Sequence, residues 1–385
     1  MAGKVPTNGL NHGIPFFTGD TGSIYTHDVS GTDSTAQYNT AYGLTALDAV
    51  TTGDQNTSIG YGAGGANQTG AEQVNIGYQA GLVCTSSGNV LIGKDAGLSI
   101  TSGEADIHIG VRAGDGYDTE SNNVSIGVDS LGGSVAGGEY NVAVGNFTLD
   151  ALTSGDFNVA VGYNAGTAAT TSAYNTFIGG SAGDAIVSNT NDNGYNVCVG
   201  YGSDGRSGSD NSIFIGANAV SGQNDARFEL VLGSSVSGQG QDTFTFGRGT
   251  TDTSIDLGTT SFTNPSDERY KKDIETSTCG LSFINDLRPV NFKFKTKGEL
   301  DSSLYGYEEN STESTGHTDG FVHGFIAQEI KATIDKHTEY KGNELWKNGL
   351  DSQSNRQRIS KEALIPILVN AVKELSAKVK ALEDA

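Results

Sequence analysis

The segment Asn141-Val142-Ala143-Val144-Gly145 and its next copy, Asn158-Val159-Ala160-Val161-Gly162, decide how the longer part of this 385-residue chain is built. Working outward, the same Asn-x-x-Ile/Val-Gly pattern, with local variation, closes on Gly43, Gly60, Gly77, Gly93, Gly110, Gly127, Gly145, Gly162, Gly179, Gly200, Gly216, Gly233 and Gly247. The intervals run from 14 to 21 residues and average 17. A period this short and constant marks a stacked solenoid rather than a row of globular domains. Alternation along a strand puts Val142 and Val144 on one face and Asn141 and Ala143 on the other. The apolar pair recurs as Val90/Ile92, Ile107/Ile109, Val124/Ile126, Val159/Val161 and Val197/Val199. β-Branched residues at alternate positions suit a strand with one buried face. The expectation is therefore two continuous apolar columns inside a thin core, with about two short strands and two turns per coil.

Other residues recur in step. Asn56, Asn89, Asn123, Asn141, Asn158, Asn175 and Asn196 stand at or just before the strand, where an asparagine bonds turn backbone or ladders with its copies. Ala63-Gly64, Ala80-Gly81, Ala96-Gly97, Ala165-Gly166 and Ala182-Gly183 supply small residues for a tight corner. At about 4.8 Å per stacked strand, twelve intervals make a rod of roughly 60 Å. So thin a core is marginal in a lone chain, and oligomerisation is the natural remedy. The longest interval contains an extra polar loop, Ser188 to Gly194, which projects from one face.

Composition narrows the function classes. Residues 1–265 carry 6 Lys+Arg against 25 Asp+Glu, and the whole chain has a net charge of −22. An acidic, lysine-poor surface argues against nucleic acid and against anionic membranes. Three separated cysteines (Cys84, Cys198, Cys279) support no disulfide framework, and they and the six histidines show no metal spacing. No metal or cofactor is expected. No apolar run reaches the ~18 residues of a membrane span, so no membrane insertion is expected. The start lacks the apolar core of a secretory signal, which predicts synthesis in a cytoplasm. Asp115, Asp118 and Glu120 are conceivable glycosidase carboxylates, but they read better as loop residues, with no aromatic sugar platform beside them.

The chain changes character at Ser266-Asp267-Glu268-Arg269-Tyr270-Lys271-Lys272-Asp273-Ile274. Only 8 of the 55 glycines lie beyond it, and the charge there is nearly balanced, 17 Lys+Arg to 20 Asp+Glu. Leu281 to Leu287 reads as a short amphipathic helix stopped by Pro289, and Val290 to Lys295 as a half-buried strand. A polar loop covers Gly298 to Gly320, and a further helix opens within Gly324 to Ile330. The last helix starts near Ser360, with Pro366 in its first turns. Ile365, Leu368, Val372, Leu375, Val379 and Leu382 then follow in alternating steps of 3 and 4, the seam of a coiled coil.

The repeats over about residues 36–250 resemble the head repeats of trimeric autotransporter adhesins and similar repeats of phage tail fibres, which implies a β-roll with three chains side by side. The segment after Ser266 resembles the intramolecular chaperone domain of phage tailspikes and tail fibres, the peptidase S74 family. The matching residues are Ser266-Asp267-x-Arg269-x-Lys271-x-x-Ile274, Leu287-x-Pro289, Gly324-Phe-Ile-Ala-Gln-Glu329 and Leu368-Val-x-Ala371-x-x-Glu374-Leu375; Tyr270 departs from the family's usual leucine. That resemblance implies a domain that trimerises, aligns three fibre chains and cuts itself off. It assigns Ser266 as nucleophile on the carbonyl of Pro265, with Pro265–Ser266 the scissile bond. Lys271 is then the general base, and Asp267 and Arg269 support the site.

The fold expected is mainly β: a trimeric β-solenoid of ~17-residue coils, followed by a smaller, mainly helical domain ending in a coiled coil. Three regions are expected: an attachment segment at 1–35, the shaft at 36–258 and the chaperone domain at 259–385. The function implied is that of a phage tail fibre, a virion protein for host attachment. Its expected partners are two further copies of the chain, phage tail proteins at the N-terminal segment and a host surface receptor. The alternatives are a structural tail spacer, a capsule-degrading tailspike and a bacterial surface adhesin. The only chemistry in view is a single self-cleavage.

Overall fold

The structure is a computed structural model that describes residues 17–18, 22–26, 34–133, 137–186, 194–259, 262–263, 266–304, 306–316, 318, 320–342, 344–347 and 357–385. Most of the proposed attachment segment and of the 188–194 loop lies outside these residues. The chain divides into two compact units, Met1–Ser266 and Asp267–Ala385.

In the first unit each coil contributes one short strand, commonly of three residues. Val142–Val144 pairs in parallel with Val124–Ile126 on one side and Val159–Val161 on the other, residue for residue. This continues coil after coil from Ile24–Tyr25 to Thr243–Arg248 as a mainly β solenoid of about 12 turns. Two antiparallel strands, Thr251–Asp256 and Phe262–Thr263, finish the sheet. The rest of each coil is mostly turn, with isolated parallel bridges in later coils such as Asp204 to Val220 and Asp210 to Arg227, and not the second strand that coil length suggested. Those turns are still tied between coils, as in Thr51 N–H to Gln68 O (2.9 Å) and Gly97 N–H to Ala113 O (2.9 Å).

The inside and outside of the strand are the reverse of the sequence expectation. The central residue is buried: Leu91, Ala143, Ala160, Phe177 and Phe214 all lie in the core. The β-branched pair flanking it points outward: Val142 and Val144 are half-buried, and Val159 and Val161 are exposed. The physical reason is lumen width. A 17-residue coil encloses room for one side chain per strand, completed from the opposite wall by residues such as Leu131, Leu149 and Leu152.

Two devices set the pitch. The asparagines form a ladder beside the core: Asn158 N–H donates to Asn141 Oδ1 (2.9 Å), and Asn158 Nδ2 donates to Ser172 O (3.0 Å). Asn141 repeats this one coil earlier with Asn123 and Gly155. Each such buried bond contributes about 1 kcal/mol, and leaving either group unpaired costs more. The motif glycines let neighbouring coils touch. Gly77 has φ +140°, and a Cβ there would lie 2.2 Å from Gly93 O.

Among its described residues the second unit has three α-helices, α1 (Leu281–Asn285), α2 (Ala327–Lys336) and α3 (Ile365–Glu383). A 3-10 turn, Lys361–Leu364, runs directly into α3, so the terminal helical stretch is 23 residues long. Pro366 sits in the first turn of α3, where its missing N–H breaks no helical bond. Val290–Phe292 pairs antiparallel with Val322–Gly324, and Trp346–Lys347 with Arg358–Ile359. Cys279, Phe283, Ile330, Leu345, Leu364 and Ile367 form the core.

Candidate functional site

The junction motif is built on one 3-10 turn, Glu268–Tyr270. Asp267 caps it, accepting the N–H of Arg269 at 2.9 Å, and the Arg269 guanidinium folds back to the same carboxylate. That pairing holds the Asp267 carboxyl below its ordinary range. Both groups are largely in water, where such a pair adds little stability, so its effect is local shape. Ser266 stands just before the turn and Lys271 just after it, the Lys271 N–H donating to Glu268 O (2.9 Å). Both Ser266 and Lys271 are exposed. Pro265 and the side chain of Tyr270 lie outside the described residues. The five-residue spacing therefore brackets one turn, and the single chain leaves its two ends facing solvent.

The other motif residues hold the unit together. Glu374 of α3 accepts the N–H of Leu281 at the start of α1 (3.3 Å). A side chain on Gly280 would collide with that carboxylate. Asn370 donates to Ser277 O (2.9 Å) and Cys279 O (3.1 Å). Arg288, beside Leu287, pairs with Glu329 of α2. These contacts explain why the spacing Leu368-x-x-Ala371-x-x-Glu374 matters: Ala371 and Ile367 face the core while Asn370 and Glu374 reach α1.

The heptad residues face the other way. Ile365, Leu368, Val372, Leu375, Val379 and Leu382 are 44–79% exposed. An apolar seam of this kind is the face by which helices associate.

His337 is a feature that spacing did not reveal. Its ring is buried, with Nδ1 2.7 Å from Glu339 Oε1 and Nε2 2.7 Å from Asp286 Oδ2. These carboxylate bonds, Glu339 first, push the His337 pKa up. Lys336 also reaches Asp286, at 2.6 Å. The cluster ties the end of α1 to the end of α2; only the fold brings Asp286 within reach, 51 residues before His337.

Of the three shaft carboxylates considered, Asp118 is exposed, Asp115 half-buried and Glu120 buried. Glu120 accepts the N–H groups of Asp118 (3.1 Å) and Gly137 (2.8 Å), which pins two turns. His108 is fully buried beside Ser125 Oγ (2.8 Å), and burial pushes its pKa down to about 3. Among the described residues no group of three or more His, Cys, Asp or Glu could hold a metal. None of the described helices is long and apolar enough to cross a membrane. A stacked aromatic ladder does stand out: the ring centroids of Tyr140, Phe157, Tyr174 and Tyr195 lie 4.7–5.2 Å apart in succession, with the ring planes nearly parallel. Its signal in the sequence is an aromatic residue before the asparagine in four successive coils. The rings cover one another's faces, so the ladder offers edges rather than a flat platform.

Comparison with known proteins agrees with this geometry in one region. Residues 266–339 match the family described as chaperone of endosialidase, peptidase S74. No curated protein and no solved structure matches the chain. The chain therefore carries a chaperone-of-endosialidase (peptidase S74) domain directly behind a β-solenoid of about 12 turns.

Proposed function

We propose that this protein is a phage tail fibre subunit for host attachment, and that its terminal domain brings three copies of the chain together and then releases itself. The observation that carries the reading is the exposed heptad seam of α3, at the end of a chaperone domain that follows a shaft of near-identical coils. Near-identical coils can pair between chains in many registers. A domain that gathers the chain ends removes the wrong ones and raises the local concentration. The N-terminal segment is then the end that meets other tail proteins, and the shaft meets a receptor on the host surface.

Self-release follows from the junction. Ser266 Oγ attacks the carbonyl carbon of Pro265, with Lys271 taking the hydroxyl proton. The new C–O bond forms as the Pro265–Ser266 C–N bond breaks, and the proton passes to the departing Ser266 nitrogen. Water then hydrolyses the ester, leaving a carboxyl on Pro265 and restoring the Ser266 hydroxyl. A lysine acts as a base only where its surroundings disfavour its charge. Lys271 is exposed in the single chain, so neighbouring copies supply that environment and cleavage reports assembly.

A denaturing gel of wild type beside Ser266→Ala and Lys271→Ala tests cleavage, and light scattering gives the assembled mass. The expectation is fragments of 265 and 120 residues in wild type alone, from a particle of three chains. A full-length band in all three proteins rejects cleavage, and a one-chain mass rejects assembly.

A further inference from the structure

The ring of His337 is gripped by an acid at each nitrogen. It is 5% exposed, with Nδ1 2.7 Å from Glu339 Oε1 and Nε2 2.7 Å from Asp286 Oδ2. A neutral imidazole has one N–H and one lone pair. It donates to one of these carboxylates and turns its lone pair on the other. Only the imidazolium donates to both, and charge-assisted bonds of this kind are the strong ones. The apolar side is closed as well: the Phe283 ring of α1 packs against the imidazole at 5.3 Å, and Tyr340 stacks on Phe283 at 5.6 Å. His337 caps the end of α2 and Asp286 the end of α1, and a helix C-terminus favours a cation. The ring proton therefore ties two helix ends together.

We propose that His337 is a proton-operated clasp: protonated, it holds the end of α1 on the end of α2, and on losing the ring proton it lets α1 go while the shaft stays folded. The surrounding charges decide which bond opens. Asp286 has a second cation in Lys336, whereas Glu339 has no other side-chain partner among the described residues. A neutral ring therefore keeps its N–H on Glu339 and turns its lone pair toward Asp286, the partner from α1. The other titratable groups nearby are Cys279 and Tyr340, both pushed up by burial, and Glu374 of α3, which holds the Leu281 N–H at the opposite end of α1. Lys341 pairs with Glu275, and Lys331 with Asp335. None of these meets a ring nitrogen. The two carboxylate bonds, Glu339 first, raise the His337 pKa above its ordinary 6.5. A raised value means stability that is complete below about pH 6.5 and is lost as pH rises through the folded value. Asp286 and Glu339 are held below their ordinary ranges, by Lys336 first and by His337 first respectively, so the clasp stays shut in mild acid. The terminal unit is thus closed in acid medium and loosens in alkaline medium, a property that neither assembly nor self-release requires.

Hydrogen exchange of the full-length protein from about pH 6 to about pH 9, corrected for the intrinsic effect of pH on exchange, reads the clasp at Ile284, Asp286 and Leu287, whose N–H groups bond along α1. Their protection in wild type should fall on the order of tenfold across that range, while amides of the shaft coil from Thr40 to Ile59 keep theirs. In His337→Gln the side-chain amide does not titrate, so α1 protection should be low and level with pH. Asp286→Asn offers the ring an oxygen or an N–H as its state demands, so α1 should stay protected, again level with pH. A level α1 profile in wild type, a wild-type slope in His337→Gln, or an equal fall in the shaft coil overturns the proposal. If His337→Gln loses protection at Ile330 and Ile367 as well, the unit has unfolded and Asp286→Asn decides: a wild-type slope there overturns the clasp, and a level one supports it.

Discussion

The shaft and the terminal unit are held together over very different chain distances. In the shaft nearly every tie spans one coil, as between Asn141 and Asn158, 17 residues apart. In the terminal unit Asn370 reaches back to Ser277 and Glu374 to Leu281, each across 93 residues. A one-coil slip in the shaft replaces Val142/Val144 by Val159/Val161 and changes nothing that a neighbour senses. A slip in the terminal unit replaces Phe283 or His337 by a residue that does not fit. The difference separates two tasks: short ties make length without address, and long ties make address without length.

The comparison breaks or sharpens first on core truncations. Phe283→Ala should cost about 3–5 kcal/mol and unfold the terminal unit as a whole, seen as loss of hydrogen-exchange protection throughout residues 267–385. Phe177→Ala removes the same ring from the shaft core, but its lost protection should centre on the adjoining coils. Uniform loss along the shaft would contradict the nearest-neighbour picture.

Next comes the ladder. Asn158→Ala deprives the Asn175 N–H of its acceptor and Ser172 O of its donor. A loss of about 2–3 kcal/mol in denaturant unfolding is expected, while Phe283-core protection stays unchanged.

Asp106 sharpens the point through pH. It stands where most coils have asparagine, and its carboxyl accepts the Asn123 N–H (2.8 Å) while Oδ2 has no hydrogen-bond partner. Burial, partly countered by Asn123, pushes its pKa up to about 7 from 3.8. Between those values the folded chain keeps a proton that the unfolded chain has lost, so shaft stability falls as pH rises from about 4 to about 7, then levels. Asp106→Asn restores the amide donor. Its advantage over wild type should grow across that window by on the order of 4 kcal/mol, about 1.4 per pH unit, read from melts at pH 4 and pH 8. An advantage that is flat with pH would remove the neutral acid from the account.

The smallest effect is expected at Arg288→Ala. Its partner Glu329 is exposed, so the change should stay below about 1 kcal/mol. A larger loss in thermal unfolding would show that surface pairs, and not only Phe283 and its neighbours, hold α1 to α2.

Much of this architecture was legible in the chain. Glycine spacing gave the coil, the change of composition at Ser266 gave the junction, and the 3-4 steps after Ile365 gave a one-sided helix. What alternation could not supply was which side of the strand is inside. Val142 and Val144 share a face either way, and only the width of the closed coil sends Ala143 inward. The His337 cluster was illegible for a different reason: its partners lie at opposite ends of a segment whose fold has no period.

The glycine column has a further consequence. Because a methyl group at Gly77 would meet Gly93 O at 2.2 Å, the pitch cannot be stretched by ordinary substitution. Turns, by contrast, absorb a residue: the 16-residue coil between Gly77 and Gly93 still pairs Val74 with Val90 in step. The shaft is therefore a ruler graduated in whole coils, lengthened or shortened by about 4.8 Å at a time through duplication or deletion of a unit.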